Sequence, residues 1–210
     1  MSEALTLSST DGLTLEAVVD EPNEPSGVVV MCHPHPHDGG TMNAPLLLAL
    51  KDALLTGSRA VLRFNFRGIG ASEGSSGDGT DEVADALGAI EFARDRNPAL
   101  PLALIGWSFG ASVAIRSVPD AGNVSAVIAI APPVSGRAGY SLGLPDRLET
   151  DVPLLVVAGA NDTTTDPGKQ RAWAEANNAR FLALKGANHF FWAKYDDLAA
   201  EVTAFLNETS

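Results

Sequence analysis

A serine lies between two glycines near the middle of the chain, in Gly106-Trp107-Ser108-Phe109-Gly110. The apolar run Leu102–Ile105 precedes this segment, and a helical pattern, Phe109–Val118, completes it. A serine on a sharp strand-to-helix turn exposes its hydroxyl, and the turn needs small residues two positions before and after it. The pattern therefore predicts a nucleophile at Ser108. Taken alone, the pentapeptide also fits a close-packed turn whose serine merely caps the helix.

A nucleophilic serine needs a base, and the base needs a group that orients it. In turns of this type, the acid and then the histidine follow the nucleophile along the chain. His189 is the only histidine after Ser108, and it lies just beyond the strand pattern Phe181–Lys185. We therefore predict that His189 is the base, although a lone histidine in a loop is elsewhere usually a solvated side chain.

Two aspartates compete for the role of the acid. Asp162 ends the segment Gly159–Asp162, directly after the apolar strand pattern Val152–Val157. A carboxylate there can accept a hydrogen bond from the imidazole and stabilise the imidazolium. Asp166 is followed by a proline, which suits the start of a helix. Asp162 is therefore the predicted acid, and Asp166 is the rival.

Three histidines within five residues, His33, His35 and His37, follow the strand pattern Val28–Cys32. Such a cluster suggests metal ligands. However, the metallo-hydrolase spacing is His-x-His-x-Asp-His, whereas this chain has His-x-His-x-His-Asp, and alternating prolines restrict its backbone. We predict no metal and no cofactor, and His33 and His37 receive no role.

The same loop is expected to complete an oxyanion hole. One donor in such a site is the backbone N–H after the nucleophile, here that of Phe109, and a second comes from the loop after the third strand. Pro34 and Pro36 have no N–H, which makes His35 the natural second donor. Its imidazole could also line an acyl pocket.

Apolar runs alternate with helical patterns from Gly27 onward, as in a parallel sheet covered by helices on both faces. The predicted strands are Val28–Cys32, Ala60–Phe66, Leu102–Trp107, Val124–Ala131, Leu154–Gly159 and Arg180–Leu184. The predicted helices are Ala44–Leu55, Asp81–Arg94, Phe109–Val118, Gly168–Asn177 and Asp196–Leu206. An opening hairpin, Leu5–Ser8 and Leu13–Val19, precedes them. We expect one α/β domain, residues 1–210, with about eight strands, six of them parallel.

The connections between these elements leave little room for a cap over the site. Gly68–Gly79 is expected to be a loop over the carboxyl edge of the sheet. Pro132–Asp151 is the longest connection, and it can hold only a loop or a short helix. We therefore expect an open site that prefers small or water-soluble substrates to long-chain lipids.

Composition narrows the class of partner. With 210 residues, 45% of them hydrophobic, the chain can bury one core. A formal charge of −12 with 14 scattered Lys and Arg argues against nucleic acid and anionic membranes. The first residues lack the features of a signal peptide, and no apolar run reaches the roughly 20 residues of a membrane span. Cys32 is the only cysteine, so no internal disulfide forms, and a cytoplasmic location is expected.

These landmarks together resemble the small, lidless α/β hydrolases of prokaryotes, close to the dienelactone-hydrolase-like group. They occur in order over about three quarters of the chain, in His33–Pro36, Gly39–Met42, Leu62–Ser72, Gly106–Gly110, Gly159–Asp162 and Ala187–Phe191. The resemblance implies the α/β-hydrolase fold and an acyl-serine mechanism without a cofactor. Dienelactone hydrolases commonly carry a cysteine as the nucleophile, so Ser108 puts dienelactone itself in doubt.

Within this resemblance, the residues beside the site receive structural or pocket roles. Arg67 and Ser72 would organise the adjoining loop, with Arg67 as a structural hydrogen bonder or ion-pair partner. Trp107 and Phe190, with the neighbouring Phe191 and Trp192, could form an apolar pocket for the acyl or alcohol part of a substrate. Aromatic side chains at such places are as often part of the core.

The chain is thus expected to be a serine esterase that acts on a small-molecule ester. A thioesterase or an amidase would use the same residues. A non-catalytic binding or scaffold protein of the same fold is the alternative from another class. Haloalkane dehalogenases and epoxide hydrolases are disfavoured, because they place an aspartate at the nucleophile. Nothing in the sequence indicates the oligomeric state.

Overall fold

A single sheet carries the elements of the chain, for which the computed structural model describes residues 1–137 and 140–209. Within those ranges the strands are β1 (Ser2–Ser8), β2 (Thr14–Asp20), β3 (Gly27–Cys32), β4 (Arg59–Phe64), β5 (Leu102–Trp107), β6 (Ala126–Ile130), β7 (Leu154–Gly159) and β8 (Arg180–Leu184). The α-helices are α1 (Pro45–Thr56), α2 (Glu82–Arg96), α3 (Phe109–Ser117), α4 (Pro167–Ala176) and α5 (Tyr195–Glu208). A short 3₁₀ helix, Pro36–Asp38, follows β3.

The order of the strands brings the predicted site residues to one edge. The sheet runs β1-β2-β4-β3-β5-β6-β7-β8. β1 and β2 form an antiparallel hairpin, β2 is antiparallel to β4, and the six strands from β4 to β8 are parallel. The predicted α/β fold with a mostly parallel eight-stranded sheet is therefore confirmed. Because the carboxyl ends of parallel strands share an edge, the segments after β3, β5, β7 and β8 meet there.

Both faces of the sheet are buried beneath helices. Along β3, Val28, Val30 and Cys32 pack into the layer that contains α2, α3 and α4. The alternate residues, Val29 and Met31, pack into the layer that contains α1 and α5. Burial on both faces explains why the central strands read as continuous apolar runs. Within the described ranges, no helix is long and apolar enough to cross a membrane.

The connection between β6 and β7 leaves the carboxyl edge uncovered. At positions 131–137 and 140–153 it contains no helix or strand beyond an isolated bridge between Arg137 and Ser141. In the part of the chain that the structure describes, no cap domain is present, as the short Pro132–Asp151 connection predicted. Residues 138 and 139 of that connection lie outside the described residues.

The fourth strand ends earlier than predicted. The sequence pattern predicts a strand over Ala60–Phe66, but β4 ends at Phe64. The Asn65 N–H bonds to a carbonyl of β2, and the Phe66 N–H donates to Nε2 of His33 at 3.0 Å. The backbone is therefore diverted by partners that lie far away in the sequence.

His33 fastens the loop after β3 to the end of β4. Because Nε2 accepts from Phe66, Nδ1 carries the proton, and it donates to the Pro34 carbonyl at 2.7 Å. The ring is fully buried and packs against the Phe66 ring. Burial lowers the pKa of His33 to about 4, since a buried imidazolium loses its hydration. His33 is thus a neutral structural histidine.

The depressed pKa of His33 predicts a loss of stability in acid. The unfolded chain takes up a proton at this position near pH 6.5, whereas the folded chain does so only near pH 4, so the stabilisation present at neutral pH declines between these values. Between pH 7.5 and pH 5, we expect the wild type to lose about 2 kcal/mol more unfolding free energy than His33→Gln. Urea unfolding at the two pH values measures the difference. Equal losses in the two proteins would contradict the assignment.

Candidate active site

The segment around Ser108 is a sharp turn from β5 into α3. Ser108 has φ 54° and ψ −117°, a strained conformation for a residue other than glycine. A Cβ on Gly106 would lie 2.3 Å from the Gly110 carbonyl oxygen, and one on Gly110 would lie 2.3 Å from the Cys32 carbonyl oxygen. The two glycines are required because strand and helix approach so closely. Ser108 directly follows β5, so its hydroxyl lies at the carboxyl edge of the sheet, and the residue is only half-buried.

The three side chains predicted to act as nucleophile, base and acid are linked by hydrogen bonds. Oγ of Ser108 is 3.1 Å from Nε2 of His189, and Nδ1 of His189 is 2.8 Å from Oδ2 of Asp162. His189 and Asp162 are both buried. A proton on Nδ1 is held by the carboxylate, which leaves Nε2 free to accept from the serine hydroxyl.

Asp162 accepts four hydrogen bonds. Oδ1 receives the backbone N–H groups of Thr164 and Thr165, at 2.7 and 2.9 Å, and Oδ2 receives the Thr165 hydroxyl at 2.7 Å as well as His189. Burial by itself raises the pKa of Asp162, but the hydrogen bonds from His189 and Thr165 outweigh burial and hold the pKa below its ordinary value. The carboxylate therefore stays ionised and fixed in one orientation.

The rival aspartate has a different task. Asp166 is the N-cap of α4, and its Oδ1 accepts from the N–H groups of Gly168 and Lys169 at 2.8 and 3.3 Å. Pro167 occupies the first helical position, where its missing N–H costs nothing. The geometry thus separates the two aspartates in the way that the sequence suggested.

The sequence did not indicate the two residues that support the acid. Gln170, fully buried on α4, donates through Nε2 to the Thr165 hydroxyl oxygen at 2.8 Å and to the Pro132 carbonyl at 2.9 Å. The Thr165 hydroxyl accepts from Gln170, so its own hydrogen points to Asp162. These polar side chains are too common for their types to have identified them.

The predicted oxyanion donors lie on either side of the contact between α3 and the loop after β3. The N–H groups of Phe109 and His35 take part in none of the hydrogen bonds found within residues 1–137 and 140–209. The His35 ring is fixed, since Nδ1 accepts from the His37 N–H at 3.1 Å and Nε2 donates to the Tyr140 carbonyl at 2.7 Å. Both nitrogens of the His35 ring are therefore engaged in hydrogen bonds.

A cleft of about 770 Å³ opens above Ser108. The rings of His35 and Tyr140 stack 3.9 Å apart along one wall. Trp107 and Phe190, the predicted pocket residues, line it beside His189. Among the residues that the structure describes, no group of three or more His, Cys, Asp or Glu could hold a metal ion.

Tyr140 is a third residue that the sequence did not indicate. Its hydroxyl donates to Oδ2 of Asp38, and burial together with this contact raises the pKa of Tyr140 to about 12. The phenol therefore stays protonated. Through these contacts, the connection after β6 packs against the loop that carries His35.

Arg67 and Ser72 hold the loop that follows β4. The Arg67 guanidinium donates to the carboxylates of Asp85 and Asp11, with closest distances of 2.7 and 2.9 Å. The Ser72 hydroxyl donates to the Asn65 carbonyl at 2.7 Å. Both side chains are buried in this framework, which agrees with the structural role expected of Arg67.

Comparison with known proteins adds the family context. Residues 23–149 match the family described as serine aminopeptidase, S33. An uncharacterized protein of Rickettsia prowazekii is 30% identical over 198 residues, which cover 90% of this chain and 82% of that protein. A lidless α/β serine hydrolase from Xanthomonas campestris is 30% identical with a TM-score of 0.86, over 99% of this chain and 94% of the other. A Pyrococcus furiosus esterase has a TM-score of 0.85 at 19% identity, over 100% and 93% of the two chains, and shows likeness of fold alone.

The support of Asp162 by Thr165 predicts a measurable effect on Ser108. In Thr165→Val the carboxylate loses a donor, so we expect Ser108 to react with a fluorophosphonate about tenfold more slowly. The acid limb of its pH profile should move to higher pH, because the charged form of Asp162 is less favoured. Labelling rates measured across a pH series test both effects.

Two further variants complete that experiment. Thr165→Ser keeps the hydroxyl and should restore the rate and the pH profile. Thr163→Val makes the same change at an exposed neighbour and should behave as the wild type. A Thr165→Val protein with an unaltered rate and pH limb would show that the hydroxyl has no influence on the site.

Proposed function

The chain belongs to the family of α/β hydrolases described as serine aminopeptidase, S33, and we propose that it hydrolyses small carboxylic esters through an acyl-enzyme on Ser108. One observation carries the proposal. Ser108, His189 and Asp162 form a continuous hydrogen-bonded path, with steps of 3.1 and 2.8 Å, at the floor of an open cleft. Such a path activates a serine for attack on an acyl carbon.

In the proposed reaction, His189 accepts and returns a proton twice, first a proton from Ser108 and then a proton from water. Nε2 takes the hydroxyl proton as Oγ of Ser108 bonds to the acyl carbon, and the imidazolium is stabilised by Asp162. The bond to the alcohol oxygen then breaks, and that oxygen leaves with the proton from Nε2. Water next gives a proton to Nε2 as its oxygen bonds to the acyl carbon. The bond between Oγ and the acyl carbon then breaks, Ser108 takes that proton from Nε2, and the carboxylic acid departs.

Two backbone donors stabilise the charge that develops on the acyl oxygen. The N–H groups of Phe109 and His35 are free of other hydrogen bonds within the described residues, and Gly110 allows α3 to lie against the carbonyl of Cys32. Donors held in place by the fold cost little reorganisation when charge appears. Pro34 and Pro36, on either side of His35, restrict its backbone.

The polarity of the cleft favours esters over aminoacyl substrates. A substrate with a free α-ammonium group needs a carboxylate to pair with it. Asp38 is the carboxylate residue among the described residues that line the cleft, and it already accepts from the Tyr140 hydroxyl. A neutral ester meets no such demand. The absence of a cap in the described chain fits short acyl groups.

Removal of the proposed nucleophile is the primary test. We expect Ser108→Ala to lower kcat/KM for p-nitrophenyl acetate by about a thousandfold or more. Ser112→Ala is a matched control, since this serine lies one turn along α3 and its buried hydroxyl has no hydrogen-bond partner in the described structure. The control should retain activity. A Ser108→Ala protein with wild-type turnover would refute the proposal.

A substrate series separates the acyl classes. We expect kcat/KM to be higher for the acetate and butyrate p-nitrophenyl esters than for long-chain esters, because no cap within the described residues would shelter a long acyl chain from water. The same assay with an acyl thioester and an aminoacyl p-nitroanilide measures the competing activities. Faster hydrolysis of the anilide or of the long-chain esters would replace the proposed substrate class.

A further inference from the structure

Two aromatic rings lie on the surface beside His189. Phe190 is 43% exposed and Trp192 is 64% exposed, and Met1 is the other large hydrophobic side chain that is exposed within residues 1–137 and 140–209. The rings of Phe190 and Trp192 stack 4.9 Å apart with an angle of 15° between their planes. The two rings therefore form one contiguous apolar surface beside the cleft, whereas exposed apolar residues that occur singly are ordinary.

The backbone around Trp192 is held in an unusual conformation. Phe191 has φ 53° and Ala193 has φ 59°, both in the left-handed region that favours glycine. The Phe191 ring is fully buried in the layer with α5, while its two neighbours point outward. Strained residues of this kind persist where the surrounding structure fixes them, and they cluster at functional sites.

One of the two exposed rings belongs to the wall of the cleft, and Trp192 stacks on it from outside the cleft lining. Phe190 lines the cleft together with Ser108. Its ring stands edge-on to His189 at 5.5 Å and to Trp107 at 6.2 Å. Trp107 is buried, and its Nε1 donates to the His189 carbonyl at 3.2 Å, so this ring is fixed in position. The three aromatic rings thus form a row in the order Trp107, Phe190 and Trp192.

The position of these aromatic rings beside His189 indicates which part of an ester would contact them. In ester hydrolysis the leaving oxygen takes its proton from His189, so the alcohol part must lie on the histidine side of the cleft. Phe190 follows His189 directly in the chain and contacts its ring. The wall formed by His35 and Tyr140 adjoins Phe109, on the side of the predicted oxyanion donors.

We propose that Phe190 and Trp192 form a stacking face for the alcohol part of the substrate, and that the preferred esters carry a planar aromatic alcohol such as a benzyl group. The inference rests on the proposed ester hydrolysis and assigns its leaving-group specificity. A flat aromatic ring packs on an exposed aromatic ring in an offset-stacked or an edge-to-face arrangement. A puckered aliphatic ring of similar size makes weaker contacts there.

The test compares benzyl acetate with cyclohexylmethyl acetate. Both esters deliver the same acetyl group, so a difference in kcat/KM reports on the alcohol part. We expect the wild type to prefer benzyl acetate by about five- to tenfold, mainly through KM. Trp192→Ala should reduce the ratio of the two kcat/KM values to near one. Trp192→Phe retains a ring and should keep most of the preference.

Fluorophosphonate labelling of Ser108 shows whether each variant keeps an intact site. If Trp192→Ala labels at the wild-type rate and still prefers benzyl acetate as the wild type does, the stacking face is wrong and ester hydrolysis stands. A wild type with equal kcat/KM for the two esters leads to the same conclusion. If the wild type hydrolyses neither these esters nor p-nitrophenyl acetate, the proposed function itself fails.

Discussion

The N-terminus of α3 lies so close to β5 that a Cβ atom on Gly106 has no room, and so close to the carboxyl end of β3 that one on Gly110 has none. This close approach bends the backbone at Ser108 into the left-handed region and lifts its hydroxyl to the edge of the sheet. It also sets the N–H of Phe109 next to the loop that carries His35. The strain is offset by two apolar layers, each buried beneath helices on one face of the sheet.

Around this turn, the site has a rigid side and an exposed side. On the rigid side, α4 supplies Gln170, which orders Thr165 and through it Asp162, so that the base has a single orientation. On the exposed side, Phe190 and Trp192 are open to solvent and uncovered by any cap in the described chain. Fixed polar groups suit the chemistry of one acyl centre, and open aromatic faces suit recognition of a variable group.

Residue type and order were sufficient to predict the parallel sheet and to pick out the three side chains that meet at its edge. A nucleophile turn requires its glycines, and a lone downstream histidine leaves little choice for the base. The role of His33 could not be predicted in this way, because it depends on where β4 ends. Thr165 and Gln170 act through the packing of α4 against β7, and sequence spacing does not determine such a contact.

The central claim is that Ser108 carries the acyl group during turnover, and the most direct measurement is capture of that intermediate. Protein mixed with p-nitrophenyl acetate, quenched in acid within the first turnovers, is digested and analysed by mass spectrometry. The account predicts one acetyl group on the peptide that contains Ser108. Release of p-nitrophenol with the acetyl group on another residue would contradict it.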